Sequence, residues 1–142
     1  MIINGARNYF RSTTIFYESF RRLCIAYPSL KSDFSDEFKG LTIEQIFSKK
    51  YILKDSGVVK IIKVRIANSN QNKGKSSGFR VIILVDIRTA EVTLLNIFAK
   101  TGVSGKENID KEEVKESLTT WKEERNANSL ITLDPEKDFD AI

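Results

Sequence analysis

Apolar residues at Phe16, Phe20, Leu23 and Tyr27 recur at the i, i+4, i+7, i+11 spacing of one helix face, just after Ser12-Thr13-Thr14, whose hydroxyls can cap a first turn. Ahead of them, Asn8 to Arg11 reads as a short strand. Pro28 suits the first turn of a helix and not its interior. It therefore divides this helix from a second one through Phe34 and Phe38, which Gly40 stops. Two helices with so short a connection predict an antiparallel hairpin whose aromatic stripe belongs to the core. Leu41 to Phe47 has an ambiguous pattern, and Lys49 to Gly57 reads as a connection with a short extended piece at Tyr51-Ile52-Leu53.

The period then changes to that of a strand. Val58 to Ile66 is rich in β-branched residues, with Ile62, Val64 and Ile66 alternating against Ile61, Lys63 and Arg65, so one face of this strand is basic. Asn68 to Ser77 is a basic loop, and Phe79 to Ile87 and Val92 to Ala99 are two strands separated by the hairpin-sized Arg88-Thr89-Ala90-Glu91. Asp110-Lys111-Glu112-Glu113 has the spacing of a capping box, after which Val114, Leu118 and Trp121 mark a last amphipathic helix to about Glu124. The resulting order is β-α-α-β-β-β-α. It predicts an α+β domain: a small, mainly antiparallel sheet packed by an N-terminal helical hairpin and a C-terminal helix. A length of 142 residues suits one domain, taken as residues 1–125, followed by a polar tail, 126–142.

Composition narrows the chemistry. The chain has no histidine and one cysteine, Cys24, so the usual zinc sets and any imidazole-based nucleophile pair are excluded. Catalysis would have to use Lys, Arg, Tyr, Asp or Glu; neither a metal nor another cofactor is expected. No apolar run approaches the ~20 residues of a membrane span, and Met1 to Arg7 has no secretory character, so a cytoplasmic protein without membrane association is expected. Charge is uneven. Lys49, Lys50, Lys54, Lys60, Lys63, Arg65, Lys73, Lys75 and Arg80 stand in one stretch against Asp55 alone, whereas the chain from Glu107 onward is acidic. Such a basic centre attracts polyanions, with nucleic acid the obvious candidate.

Gly74-Lys75-Ser76-Ser77-Gly78-Phe79-Arg80-Val81-Ile82 resembles the G-K-S-G-G-x-R-V-I stretch of the RelE/ParE superfamily of bacterial toxins, its HigB branch above all. Ile97-Phe98-Ala99-Lys100 is similar to that branch's I-Y-A-K strand end, and Lys106-Glu107-Asn108 to its K-E-N. Tyr27-Pro28-Ser29-Leu30-Lys31 resembles the family's Y-P-S-L-R/K, and Ile62-Lys63-Val64-Arg65 its K-x-R strand. The likeness runs from Phe10 to Trp121 in the family's order. Two features depart from it. Thr101 stands where some members have an arginine, and no tyrosine lies in or just before the final helix.

The resemblance implies a RelE-like fold and a type II toxin that cleaves messenger RNA on the ribosome without a metal. It also implies a cognate HigA-like helix-turn-helix antitoxin, with operator DNA met only through the antitoxin complex. Lys63, Arg65, Arg80 and Lys100 become the catalytic candidates. Arg80 would grip phosphate in a forked geometry, Lys63 would serve as general base, and Lys100 would touch phosphate. Lys60, Lys73 and Lys75 would hold the RNA backbone, while Phe79 and Phe98 could either stack a base or belong to the core. The same superfamily includes non-nucleolytic ParE-like members directed at DNA gyrase. A basic nucleic-acid-binding module remains a further alternative.

Overall fold

A computed structural model of the chain describes residues 9–72, 74, 78–100 and 111–133. Strand β1 (Tyr9–Ser12) leads into helix α1 (Thr14–Ala26), whose N-cap Thr13 accepts a hydrogen bond from the Phe16 N–H at 3.2 Å. Helix α2 (Leu30–Phe38) starts two residues after Pro28 and gives way to Gly40 in the left-handed region, at φ 79°. The ambiguous stretch that follows contains a short helix, α3 (Ile43–Phe47), closed by a reciprocal capping box between Thr42 and Gln45.

Strands β2 (Ile52–Asp55), β3 (Val59–Ile66), β4 (Phe79–Asp86) and β5 (Glu91–Ala99) form an antiparallel meander. Helix α4 (Lys111–Asn126) and strand β6 (Ile131–Leu133) follow. The sheet order is β2-β3-β4-β5-β1-β6, with β1 parallel to β5 and every other pair antiparallel. The protein is thus α+β with a mixed sheet, larger than the pattern predicts.

One expectation is extended and another corrected. The short extended piece expected at Tyr51-Ile52-Leu53 belongs, from Ile52 on, to an edge strand that runs to Asp55, because Gly57 (φ 97°) turns the chain back and lets Ile52 pair with Ile62. The stretch assigned to a polar tail contributes β6, which covers the outer edge of β1 and buries Leu133; the apolar Leu130-Ile131 and Leu133 are too few to show a period. The fold boundary therefore lies beyond residue 125.

Strand alternation sends side chains into two apolar layers. Ile62, Val64, Ile66, Phe79, Val81, Ile83 and Val85 meet the buried Phe10, Phe16, Phe20, Phe34 and Phe38 on the side of the N-terminal helices. On the other side Ile61, Ile82, Leu84, Leu95 and Phe98 lie beneath Val114, Leu118 and Trp121 of α4. A bulge in β5 controls which residues share this second face. Ile83 pairs with Leu94 but Ile82 pairs with Asn96, so Leu95 is an extra residue and the parity of the strand inverts. Val92 and Leu94 face the helical hairpin before the bulge; after it Ile97 does, and Phe98 passes to the α4 side.

Candidate nucleic-acid site

Three of the four cationic residues of β3 and β4, namely Lys63, Arg65 and Arg80, fall on the second face. Lys63 and Arg65 alternate with the inward Ile62, Val64 and Ile66, and across the ladder Lys63 is level with Ile82 and Arg65 with Arg80. Two guanidinium-bearing residues directly opposite each other repel, an arrangement a stable sheet has no structural reason to adopt. Arg80 is only 1% exposed and donates from Nη1 to the Phe79 carbonyl at 3.2 Å. Lys100 follows β5 directly, its backbone N–H bonded to the Gly78 carbonyl at 2.9 Å.

Electrostatics ties these residues into one group. Burial above all, and then the charges of Arg80, Arg65 and Lys100, hold the Lys63 ammonium below the ordinary lysine range. Burial and the neighbouring Arg65 likewise lower Arg80, an effect partly opposed by Tyr51. A guanidinium keeps its proton at neutral pH despite such a shift, so Arg80 stays a cation and Lys63 is the group brought nearer to losing its charge.

Tyr51 was not singled out by its sequence. It precedes β2, and its carbonyl accepts from the Lys63 N–H at 2.8 Å. That pairing sets its ring beside the basic face: the Arg65 guanidinium carbon is 4.2 Å from the ring centroid and the Lys63 amine 5.9 Å. Pairing Tyr51-Ile52-Leu53 with β3 around Gly57 would have been the signal, but a four-residue exposed strand carries little alternation. The ring lines a hollow of about 440 Å³ with Lys49, Lys50, Lys63 and Arg65. Lys49 is held by Glu37 at 2.6 Å, and the Arg65 Nε is buried with no hydrogen-bond partner among the described residues.

Other candidates are placed differently. Lys60 lies on the opposite face, where its amine donates to the Phe47 carbonyl at 3.2 Å and sits 4.1 Å from that ring, because it is one strand position out of phase with Lys63. Phe98 is level with Arg80 but 9% exposed and packed among Ile61, Ile82, Leu84 and Leu95, so it is a core residue with almost no face to offer a base. Phe79 is also core. Lys73 and Lys75 lie outside the described residues.

The loop bearing those lysines is secured at both of its described ends. At the start, Asp33 of α2 accepts from the Ser69 N–H and from the Ser29 hydroxyl, each at 2.9 Å, and the Asn70 N–H donates to the Ser29 hydroxyl at 3.0 Å. At the finish, a Cβ on Gly78 would stand 2.0 Å from the Ile66 carbonyl oxygen, so only glycine lets β4 leave β3 this closely.

A second hollow, of about 230 Å³, is lined by Arg11, Asp86, Arg88, Glu91 and Trp121. Four of its charges pair, Arg11 with Glu91 at 3.1 Å and Arg88 with Asp86 at 2.9 Å, which leaves Arg125 and a smaller positive excess than in the first. No helix among the described residues is long and apolar enough to cross a membrane. No family model matches the chain, and neither a curated protein nor a solved structure was found to be similar to it.

Proposed function

We propose that this chain is a HigB-like toxin of the RelE/ParE type, a metal-independent endoribonuclease that cleaves messenger RNA in the ribosome and so stops translation. One observation carries the reading: Lys63, Arg65, Arg80 and Lys100 act on one another at one end of a single sheet face. The order of the N-terminal strand and helices, the β3-β4-β5 meander and the final helix supports the RelE-like topology.

In this reading the RNA backbone lies across β3 and β4. Lys63, in its uncharged form, takes the proton of a 2′-hydroxyl, and the freed oxygen bonds to the adjacent phosphorus. Arg65 balances the charge that grows on the non-bridging oxygens, and the buried Arg80 adds its positive charge from beneath. The bond from phosphorus to the 5′-oxygen then breaks, with Lys100 stabilising and protonating the departing oxygen. The products are a 2′,3′-cyclic phosphate and a 5′-hydroxyl. The ribosome would supply the strand already unstacked and in register, which removes the need for extensive binding surface. An acidic antitoxin of the HigA-like, helix-turn-helix kind would neutralise the same cations, and the site of action would be the cytoplasm.

The test is a ribosome-containing extract translating a defined message. Added protein should truncate the message within the reading frame, with Arg80→Ala at least about 100-fold slower. An intact message with translation unaffected overturns the proposal. An intact message with impaired DNA supercoiling would transfer the chain to the gyrase-directed members of the superfamily.

A further inference from the structure

We infer that Tyr51 and the hollow beside it form a binding site for one unstacked RNA base, next to the phosphate held by Arg65. The inference rests on the RNA-cleaving reading for the choice of ligand, and on three features of its own.

The first is the ring itself. Tyr51 keeps 42% of its surface in solvent although Arg65 lies against it, and that surface borders the hollow of about 440 Å³. A half-exposed aromatic ring beside an open volume of this size matches the space and chemistry of a nucleobase, which gains from stacking on any π-face. The second is the floor and rim. The floor is the β3 backbone at Val64. At the rim Gln45, whose Oε1 is bonded to Thr42, still has its amide N–H groups to donate, Ser48, whose hydroxyl donates to the Glu44 carbonyl, can still accept, and Lys50 adds a cation at the mouth. The third is adjacency. Arg65 belongs both to the hollow and to the cationic group, so a base on Tyr51 and a phosphate on Arg65 are one nucleotide's reach apart.

The arrangement also accounts for Arg65. Packed against a ring, its guanidinium loses less freedom on binding a phosphate than an unsupported side chain would. The tyrosine absent from the final helix is thus not replaced as an acid or base: Tyr51 acts through its face, and its hydroxyl is dispensable.

The experiment uses the full chain and two short single-stranded oligoribonucleotides, one carrying 2-aminopurine at a central position and the other abasic there. Wild type and Tyr51→Phe should bind the base-containing strand about tenfold or more tightly than the abasic one and quench its fluorescence. Tyr51→Ala should lose both the preference and the quenching while holding the abasic strand as wild type does. A wild type indifferent to the base, or a Tyr51→Ala that keeps the preference, overturns the inference. So does a Tyr51→Phe that behaves like Tyr51→Ala, since the hydroxyl would then be the working group. The translation extract reads the other proposal independently: cleavage without base preference overturns this inference alone, and base preference without cleavage overturns the nuclease alone.

Discussion

Lys63 is where stability and reactivity are set against each other. Its ammonium is disfavoured by burial and by three neighbouring cations, so the folded chain releases that proton more readily than the unfolded chain does. Between the lower folded-state pKa and the ordinary lysine value the unfolded state binds more protons, and stability rises with pH across that window. Lys63→Gln should therefore melt at a higher temperature than wild type at neutral pH while losing about 100-fold or more in cleavage rate. A calorimetric scan beside the extract assay checks both signs. Cleavage by wild type should accelerate with pH and level off below the ordinary lysine range, whereas the variant's residual rate should lack that rise. Gly78 makes a different demand. Gly78→Ala would drive a methyl group into the Ile66 carbonyl and part β3 from β4 where Arg65 faces Arg80, a loss of about 3 kcal/mol measurable by denaturant unfolding.

Among the elements, α4 depends on contacts its amphipathic pattern does not announce. Its C-terminus closes with Asn128 in the left-handed region at φ 58°, the Ser129 N–H reaching the Glu124 carbonyl at 2.8 Å and the Asn128 N–H reaching Arg125 at 3.1 Å. Glycine adopts that conformation without the Cβ penalty, so Asn128→Gly should raise stability by roughly 0.5 kcal/mol. The Glu124 carboxylate accepts from the Thr14 N–H at 3.0 Å and from its hydroxyl, capping the start of α1 from across the molecule. Glu124→Ala should cost about 1 kcal/mol, seen as a lower denaturation midpoint with an unchanged slope.

The same elements show what one sequence can disclose. Helices α1 and α2 and strands β3, β4 and β5 were legible because each buries a stripe or alternating face, and the basic side of β3 followed from that alternation. Strand β2 was legible only as a short extended piece, since it is exposed along its whole length, and the three-residue β6 has no pattern to read. Lys100 was found through family likeness alone. Strict alternation from Val92 and Leu94 would have put it on the other face, and only the extra residue at Leu95 brings its side of the strand round to Arg80. Tyr51 escaped notice because its position depends on a hairpin closed by an isolated glycine.

For the whole molecule, the opposition between the basic centre and the acidic C-terminal part governs binding to any polyanion. If Arg65, Lys63 and Lys100 each neutralise a phosphate, binding of single-stranded RNA should weaken with salt at a log–log slope of roughly −2, about 0.7 per contact. Removing one of these cations should flatten the slope by about one contact, and a titration across ionic strength measures it. Ending the chain at residue 125 would remove β6 together with the buried Leu133 and uncover β1, with a loss of about 2 kcal/mol or more and faster amide exchange at Phe10 and Ser12.

The position of β1 also dictates the timetable of assembly. It is the first described strand to be synthesised, yet it lies between β5 and β6, the last two. Strand β1 must therefore wait, unpaired, while the meander forms, and its Phe10 finds both flanking strands only when β6 has been made. Refolding should accordingly be slower than for a helical protein of equal length. During synthesis the nascent polypeptide cannot close this sheet until β6 has been made, so every shorter intermediate carries β1 with one edge open.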